Sequence, residues 1–205
     1  MDGLTQEQSE HVHVEGAVER WFRTHWVVPS FIFVPAAAGM LVYALAYREL
    51  DVLGVIALTV LGVLAWTLEE YLIHRFIFHY PAKSGLGKRL LYIAHEGHHL
   101  DPKDRNFVVA TPLISVPVSL VSLAILWVIV GVYAAPLIAG FWLAYVYYEY
   151  VHYSVHNRRR YIGWTNEQRK RHFRHHFKDH TREFGVTSPL WDYVFGTAPE
   201  RPVRK

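Results

Sequence analysis

Between Phe107 and Tyr148 the chain runs for 42 residues without a charged side chain. About 20 apolar residues cross the hydrocarbon core of a bilayer, so this run is long enough for two crossings. Gly131-Val132-Tyr133-Ala134-Ala135-Pro136 offers a break in its middle. Trp26–Tyr47 adds 22 uncharged residues, and its Pro29 and Pro35 are tolerated in a membrane helix. Another apolar run starts at Val52, stays uncharged for 17 residues to Leu68, and continues through Glu69, Glu70 and Tyr71 to His74. That is close to the minimum for a crossing, which puts Glu69, Glu70 and His74 at or just past the far interface. The expectation is an all-α integral membrane protein with four transmembrane helices, near 26–47, 52–73, 108–130 and 135–156, arranged as two hairpins.

The remaining residues carry the charge. Lysine and arginine gather in 75–106 and 157–205 and at Arg20 and Arg23, whereas the two opposite turns offer only Arg48. The positive-inside rule then places both termini, and a cap built from 74–107 and 157–205, in the cytoplasm, at a bacterial inner membrane or the endoplasmic reticulum. Residues 1–25 are polar and lack a secretory signal pattern. Within them, 15–22 could form a short amphipathic helix lying on the membrane. The net charge of +3 flanks apolar spans, which suits a membrane surface and not nucleic acid. There is no cysteine, which excludes disulfides, thiolate zinc sites, iron–sulfur clusters and a cysteine nucleophile.

Histidine is the abundant ligand type instead. Ten of the 14 fall into four boxes: His74 with His79; His95, His98 and His99; His152 with His156; and His172, His175 and His176. The order pair, fifteen residues, HxxHH occurs twice, which reads as an internal duplication. Offsets of three and four share a helix face, so His172, His175 and His176 are expected to converge on one point, as are His152 and His156. His74 and His79 lie roughly 140° apart on an ideal helix, so the helix is expected to end or distort near Pro81. Imidazole suits iron, zinc, copper and nickel, and ten rings supply about five ligands to each of two ions, or four with two to spare. His11, His13 and His25 lack box spacing, and His180 sits just outside the last box. Glu70 precedes His74 by four residues and Glu149 precedes His152 by three, so each could orient a ligand ring, with Tyr148 beside them. Asp192 reads as a local cap.

A transporter would hold its metal near the bilayer midplane, whereas these boxes lie at helix ends and in the cap. A zinc hydrolase would need a carboxylate base, for which Glu70, Glu96 and Glu149 are candidates. Two histidine sites beside an apolar membrane scaffold favour attack on an unactivated C–H bond, chemistry that a metal must carry.

The boxes and their flanks resemble the fatty acid hydroxylase (sterol desaturase) superfamily. Glu70 to His79, His98 to Asp104, Tyr148-Glu149 before His152, and the tail Phe184 to Thr197 are similar to the fatty acid and sphingolipid 2-hydroxylases over roughly 55–197. The resemblance implies two iron ions, with zinc an alternative occupant in an isolated sample, together with O2 and a lipid acyl substrate. The chain shows no fused cytochrome b5 domain, so the electron donor is expected to be separate, of cytochrome b5 or ferredoxin type. Glu149 stands where those enzymes more usually have aspartate, and Arg105 to Pro112 matches loosely. Sterol desaturases, carotenoid hydroxylases and alkane-type oxygenases share the histidine pattern. A membrane metal-binding protein is the non-enzyme alternative.

Overall fold

A computed structural model describes residues 20–47, 50–157 and 164–199. The amphipathic segment expected at 15–22 falls largely outside them, as do His11, His13, Arg48 and Glu49. The described residues are helical or irregular, without a strand. The long helices are α1 (Val28–Tyr47), α2 (Val52–Leu72), α5 (Pro112–Val130) and α6 (Ala134–Asn157). The shorter ones are α3 (Gly85–Leu91), α4 (Gly97–Leu100), α7 (Trp164–Phe177) and α8 (Leu190–Val194). Two π-helical turns, Ile73–Phe78 and Tyr92–Glu96, extend α2 and α3.

Three helical stretches are long and apolar enough to cross a membrane: Val28–Ala46, Val52–Phe78 and Pro112–Asn157. The last, of 46 residues, is divided by a 3-10 turn at Gly131–Tyr133, where Gly131 takes φ 57°. Their outer faces are apolar: Phe31 is 77% exposed, Leu53 72% and Val128 86%. A water-facing surface with this much contiguous hydrocarbon would associate, whereas lipid tails cover it without cost.

α6 is the hub. Its Ile138, Ala139, Phe141, Trp142 and Tyr145 form one buried cluster with Phe33 and Ala37 of α1, flanked by Trp66 of α2 and by Val116, Leu123 and Leu126 of α5. α2 and α6 cross at backbone distance. A Cβ on Gly62 would stand 1.9 Å from the Leu137 carbonyl oxygen, and one on Gly140 would stand 1.9 Å from that of Thr59. Small residues at a membrane helix crossing permit this approach, and dispersion between the backbones supplies the cohesion. Gly62 therefore belongs to a helix seam.

The third long helix starts four residues later than the charge pattern suggests. Phe107, Val108 and Val109 are buried but not helical. α5 begins at Pro112, with the Thr111 hydroxyl 3.4 Å from the Leu113 N–H as its N-cap. Thr-Pro is a helix-start signal, and it overrides the apolar run that precedes it.

Candidate metal centre

α2 and α6 run side by side out of the bundle, and each delivers a histidine pair at its end. On α6, His152 and His156 are one α-turn apart, with ring centroids 5.4 Å from each other. On α2 the five-residue spacing is absorbed by the Ile73–Phe78 π turn. Hydrogen bonds there reach the fifth residue, so residues five apart come onto nearly the same face. His74 and His79 stack at 5.2 Å as a result. The distortion expected near Pro81 thus occurs earlier, between the ligands themselves.

The ten box histidines form two groups of five, in each of which the ligand nitrogens lie within 4.8 Å of one another. His74, His79, His95, His99 and His175 make group one; His98, His152, His156, His172 and His176 make group two. The HxxHH boxes therefore do not converge on single points. Residues three and four along a helix differ by one residue, about 100° around the axis. The outer two histidines of each box (His95 and His99, His172 and His176) share a group, and the middle one, His98 or His175, serves the opposite group. The groups abut where His99 and His176 stack at 3.9 Å and 8°.

The nitrogens suit metal. Five Nε2···Nε2 pairs stand 2.7–3.0 Å apart: His79–His175, His95–His99, His98–His152, His156–His172 and His172–His176. Ligands bound at about 2.0–2.1 Å and at right angles would stand about 2.9 Å apart, closer than a tetrahedral site would place them. In group one, His74 Nδ1 donates to the Phe184 carbonyl at 2.6 Å and His175 Nδ1 donates to that of Arg182 at 2.8 Å. These bonds fix the tautomer and leave each Nε2 lone pair for a cation. His74 Nε2 is buried with no hydrogen-bond partner among the described residues. Burial, reinforced by neighbouring imidazoles, lowers His79 and His175 from the usual 6.5 to about 4, and His99 to about 2. The same causes push His95, His98, His172 and His176 well below it. At neutral pH these ligands of the cap are uncharged acceptors.

The other expected residues act less directly. Glu70 accepts no bond from His74. Its Oε1 takes the N–H groups of Val186 (2.6 Å) and Thr187 (2.9 Å), and its Oε2 takes the Thr187 hydroxyl. Glu149 Oε1 accepts from the Ala110 N–H at 3.1 Å, and the Tyr148 hydroxyl lies 3.5 Å from His152 Nδ1. His180 is exposed, its ring 5.6 Å from His99 and 6.4 Å from His79, outside both groups. Asp192 caps locally, as expected, accepting from the Phe184 and Gly185 N–H groups and the Thr197 hydroxyl. Sequence reading missed the Arg182 and Phe184 carbonyls, because backbone atoms leave no mark on residue type.

Two cavities reach the rings. One of about 110 Å³ lies toward the bundle, lined by Trp66, Tyr145, Tyr148, Glu149 and Phe107 to Thr111, and it touches His74 and His95 of group one and His98 and His152 of group two. The other, an open groove of about 430 Å³, is bordered by Lys88, Glu96 and His180 and touches His79, His95 and His99. Trp66 and Tyr145 bring aromatic walls to the first cavity. Phe141 and Trp142 are core, and Ala65 faces outward.

The fatty acid hydroxylase family profile matches residues 59–197, which include every box. The chain belongs to the fatty acid hydroxylase family. It is 36% identical over 154 residues to a dihydroceramide fatty acyl 2-hydroxylase of Arabidopsis thaliana, covering 71% of this chain and 62% of that one. It is 30% identical over 181 residues to a ceramide very long chain fatty acid hydroxylase of Schizosaccharomyces pombe, covering 85% and 51%. A fatty acid 2-hydroxylase of Rattus norvegicus is 38% identical over 146 residues, covering 69% and 39%. The chain thus spans between about two fifths and three fifths of the length of these relatives. A solved structure of full-length scs7p, in which only the hydroxylase domain is visible, superposes with TM-score 0.85 at 28% identity, covering 94% of this chain and 74% of that one.

Proposed function

We propose that this chain hydroxylates a lipid acyl chain at the carbon beside its carbonyl. The supporting observation is the bundle-side cavity, because it is walled by apolar and aromatic side chains and touches ligands of both histidine groups. The reading extends the relatives' 2-hydroxylase names to this chain. The reaction consumes the lipid, O2, two electrons and two protons, and yields the hydroxylated lipid and water. Two iron ions held by the ten histidines would supply the activation of O2. The residues do the rest: Phe107 to Val109 and Trp66 exclude water from the cavity, and Tyr145, Tyr148 and Glu149 set its polar end. The electrons come from a carrier of cytochrome b5 or ferredoxin type. The four long helices cross the membrane as two hairpins, with the cap and both termini in the cytoplasm, where lysine and arginine gather. An acyl chain then slides in from the bilayer while its head stays near the cap.

The test is incubation of purified protein, ferrous iron, a reductant and a ceramide under isotopically labelled dioxygen, followed by lipid mass spectrometry. One labelled oxygen beside the carbonyl is expected. Label drawn from water, or hydrolysis without oxygen insertion, would overturn the reading.

A further inference from the structure

The two histidine groups have the same number of ligands but different support. Residues 182–187 form a strap across group one. The strap offers the Arg182 and Phe184 carbonyls to His175 and His74, and is itself pinned along its length. Asp192 takes the N–H groups of Phe184 and Gly185, both at 2.9 Å. Glu70, reaching over from α2, takes those of Val186 and Thr187. Arg174 grips Glu183 through two bonds of 2.7 and 2.5 Å, and Glu183 holds φ 59°, a left-handed conformation that a non-glycine residue keeps only when its surroundings fix it.

Group two has a slighter counterpart, in which Glu149 takes the N–H group of Ala110 at 3.1 Å beside the Val108 carbonyl. The buried Nδ1 atoms of His98, His172 and His176 have no hydrogen-bond partner among the described residues. His152 has the Val108 backbone carbonyl beside its ring, and its Nδ1 lies 3.5 Å from the Tyr148 hydroxyl, the outer limit of a hydrogen bond. The open groove adds a second difference, because it touches three group-one ligands and none of group two.

We infer that the groups fill in order: group one binds its ion first and more tightly, and Glu70 and Asp192 are positioning residues for it, acting through the strap. Partners that orient ligand rings are commonly worth about 10–100-fold in metal affinity. Glu70 lies 116 residues from Val186 in sequence, so the first ion locks the tail of the chain onto the end of α2.

This rests on the reading that both groups hold metal, and a parent chain that binds no more than one zinc ion would sink both. Two dications repel, so a two-step titration alone would not decide the order. The deciding comparison is between two pair deletions, His74→Ala with His79→Ala, and His152→Ala with His156→Ala, titrated with zinc(II) against a competing chelator in detergent. The second deletion is expected to keep one ion at the parent's tighter affinity, and the first to keep one ion bound about 10-fold more weakly or worse. Equal affinities, or the reverse order, would overturn the inference. Added to the second deletion, the isosteric Glu70→Gln and Asp192→Asn should each weaken the remaining ion about 10–100-fold, and no change would refute the strap's role. Hydrogen exchange on the unmodified chain with one equivalent of zinc gives an answer that needs no variant. Protection should rise first in 182–187, and a first rise in 152–157 would contradict the order.

Discussion

The bundle and the cap are held together in opposite ways. In the bundle, α2 and α6 touch backbone to backbone at Gly62 and Gly140, and the packed residues are almost all apolar. In the cap and the helix ends that meet it, many buried residues are polar: seven of the ten box histidines, with Glu70, Gln168, Glu183 and Asp192. Close packing needs no occupant. A buried polar network is stable only when each member is satisfied, and ten neutral imidazoles with converging lone pairs are satisfied by cations. The bundle should therefore stand without metal, and the cap should not.

The largest effect should come from breaking the seam. Gly140→Leu places carbon against the Thr59 carbonyl with no flexible side chain to yield. The cost should reach or exceed the upper end of the about 1–3 kcal/mol typical of overpacking. Little folded protein is expected by size-exclusion chromatography in detergent, with or without metal. Recovery of a normal monodisperse species would show that the crossing is not what holds the bundle.

Metal removal ranks next and separates the two regions. Chelation should abolish the proposed hydroxylation and raise hydrogen exchange across α7 and 182–187, while α1 and α6 up to Trp142 stay protected. Uniform loosening of both regions would break the comparison.

Acid should act on the same region in the metal-free protein. The cap ligands are neutral when folded, with His79 and His175 lowered to about 4, but take up protons near 6.5 when unfolded. Below that value the unfolded state binds more protons, so stability rises with pH and is lost as pH falls from about 6.5 toward about 4. Exchange in the cap should accelerate through this window while exchange in the bundle stays flat. A flat cap profile would mean that the rings are protonated or solvated in the folded state.

How much of this was legible in the sequence follows the same division. The long helices could be read because hydrocarbon imposes one demand over some 20 residues, and uncharged runs meet it visibly. Only the start of α5 was misplaced, since Phe107 to Val109 are apolar for a different purpose, lining the cavity. The gathering of the four histidine boxes was legible, because a site able to hold metal restricts residue identity. Their assignment to two groups was not. His98 and His175 cross over because of the one-residue rotation around a helix, and which neighbour they meet depends on how α4 and α7 face each other. Glu70 was singled out by its position beside His74, but it bonds a distant loop instead, which spacing along α2 cannot reveal.

The smallest effect should come from the cap's outer surface. Lys170 and Glu167 pair at 2.7 Å in full solvent, one turn apart on α7. Lys170→Ala should leave thermal stability and metal content unmoved, since exposed pairs gain little against screening and entropy. A measurable loss would place that face in contact with something other than water.

The π turn between His74 and His79 has a consequence for how the two halves of the chain compare. A π turn is an α-helix carrying one surplus residue. Removing a single position between these histidines would turn HxxxxH into HxxxH, the spacing that α6 already uses at His152 and His156. Counted in turns of helix instead of letters, the two pairs are the same device, and the mismatch in their spelling is a length difference that the backbone has swallowed. A search for related chains that demands fixed gaps between ligands would miss such equivalences. One that allows an extra residue wherever a helix can bulge would find them.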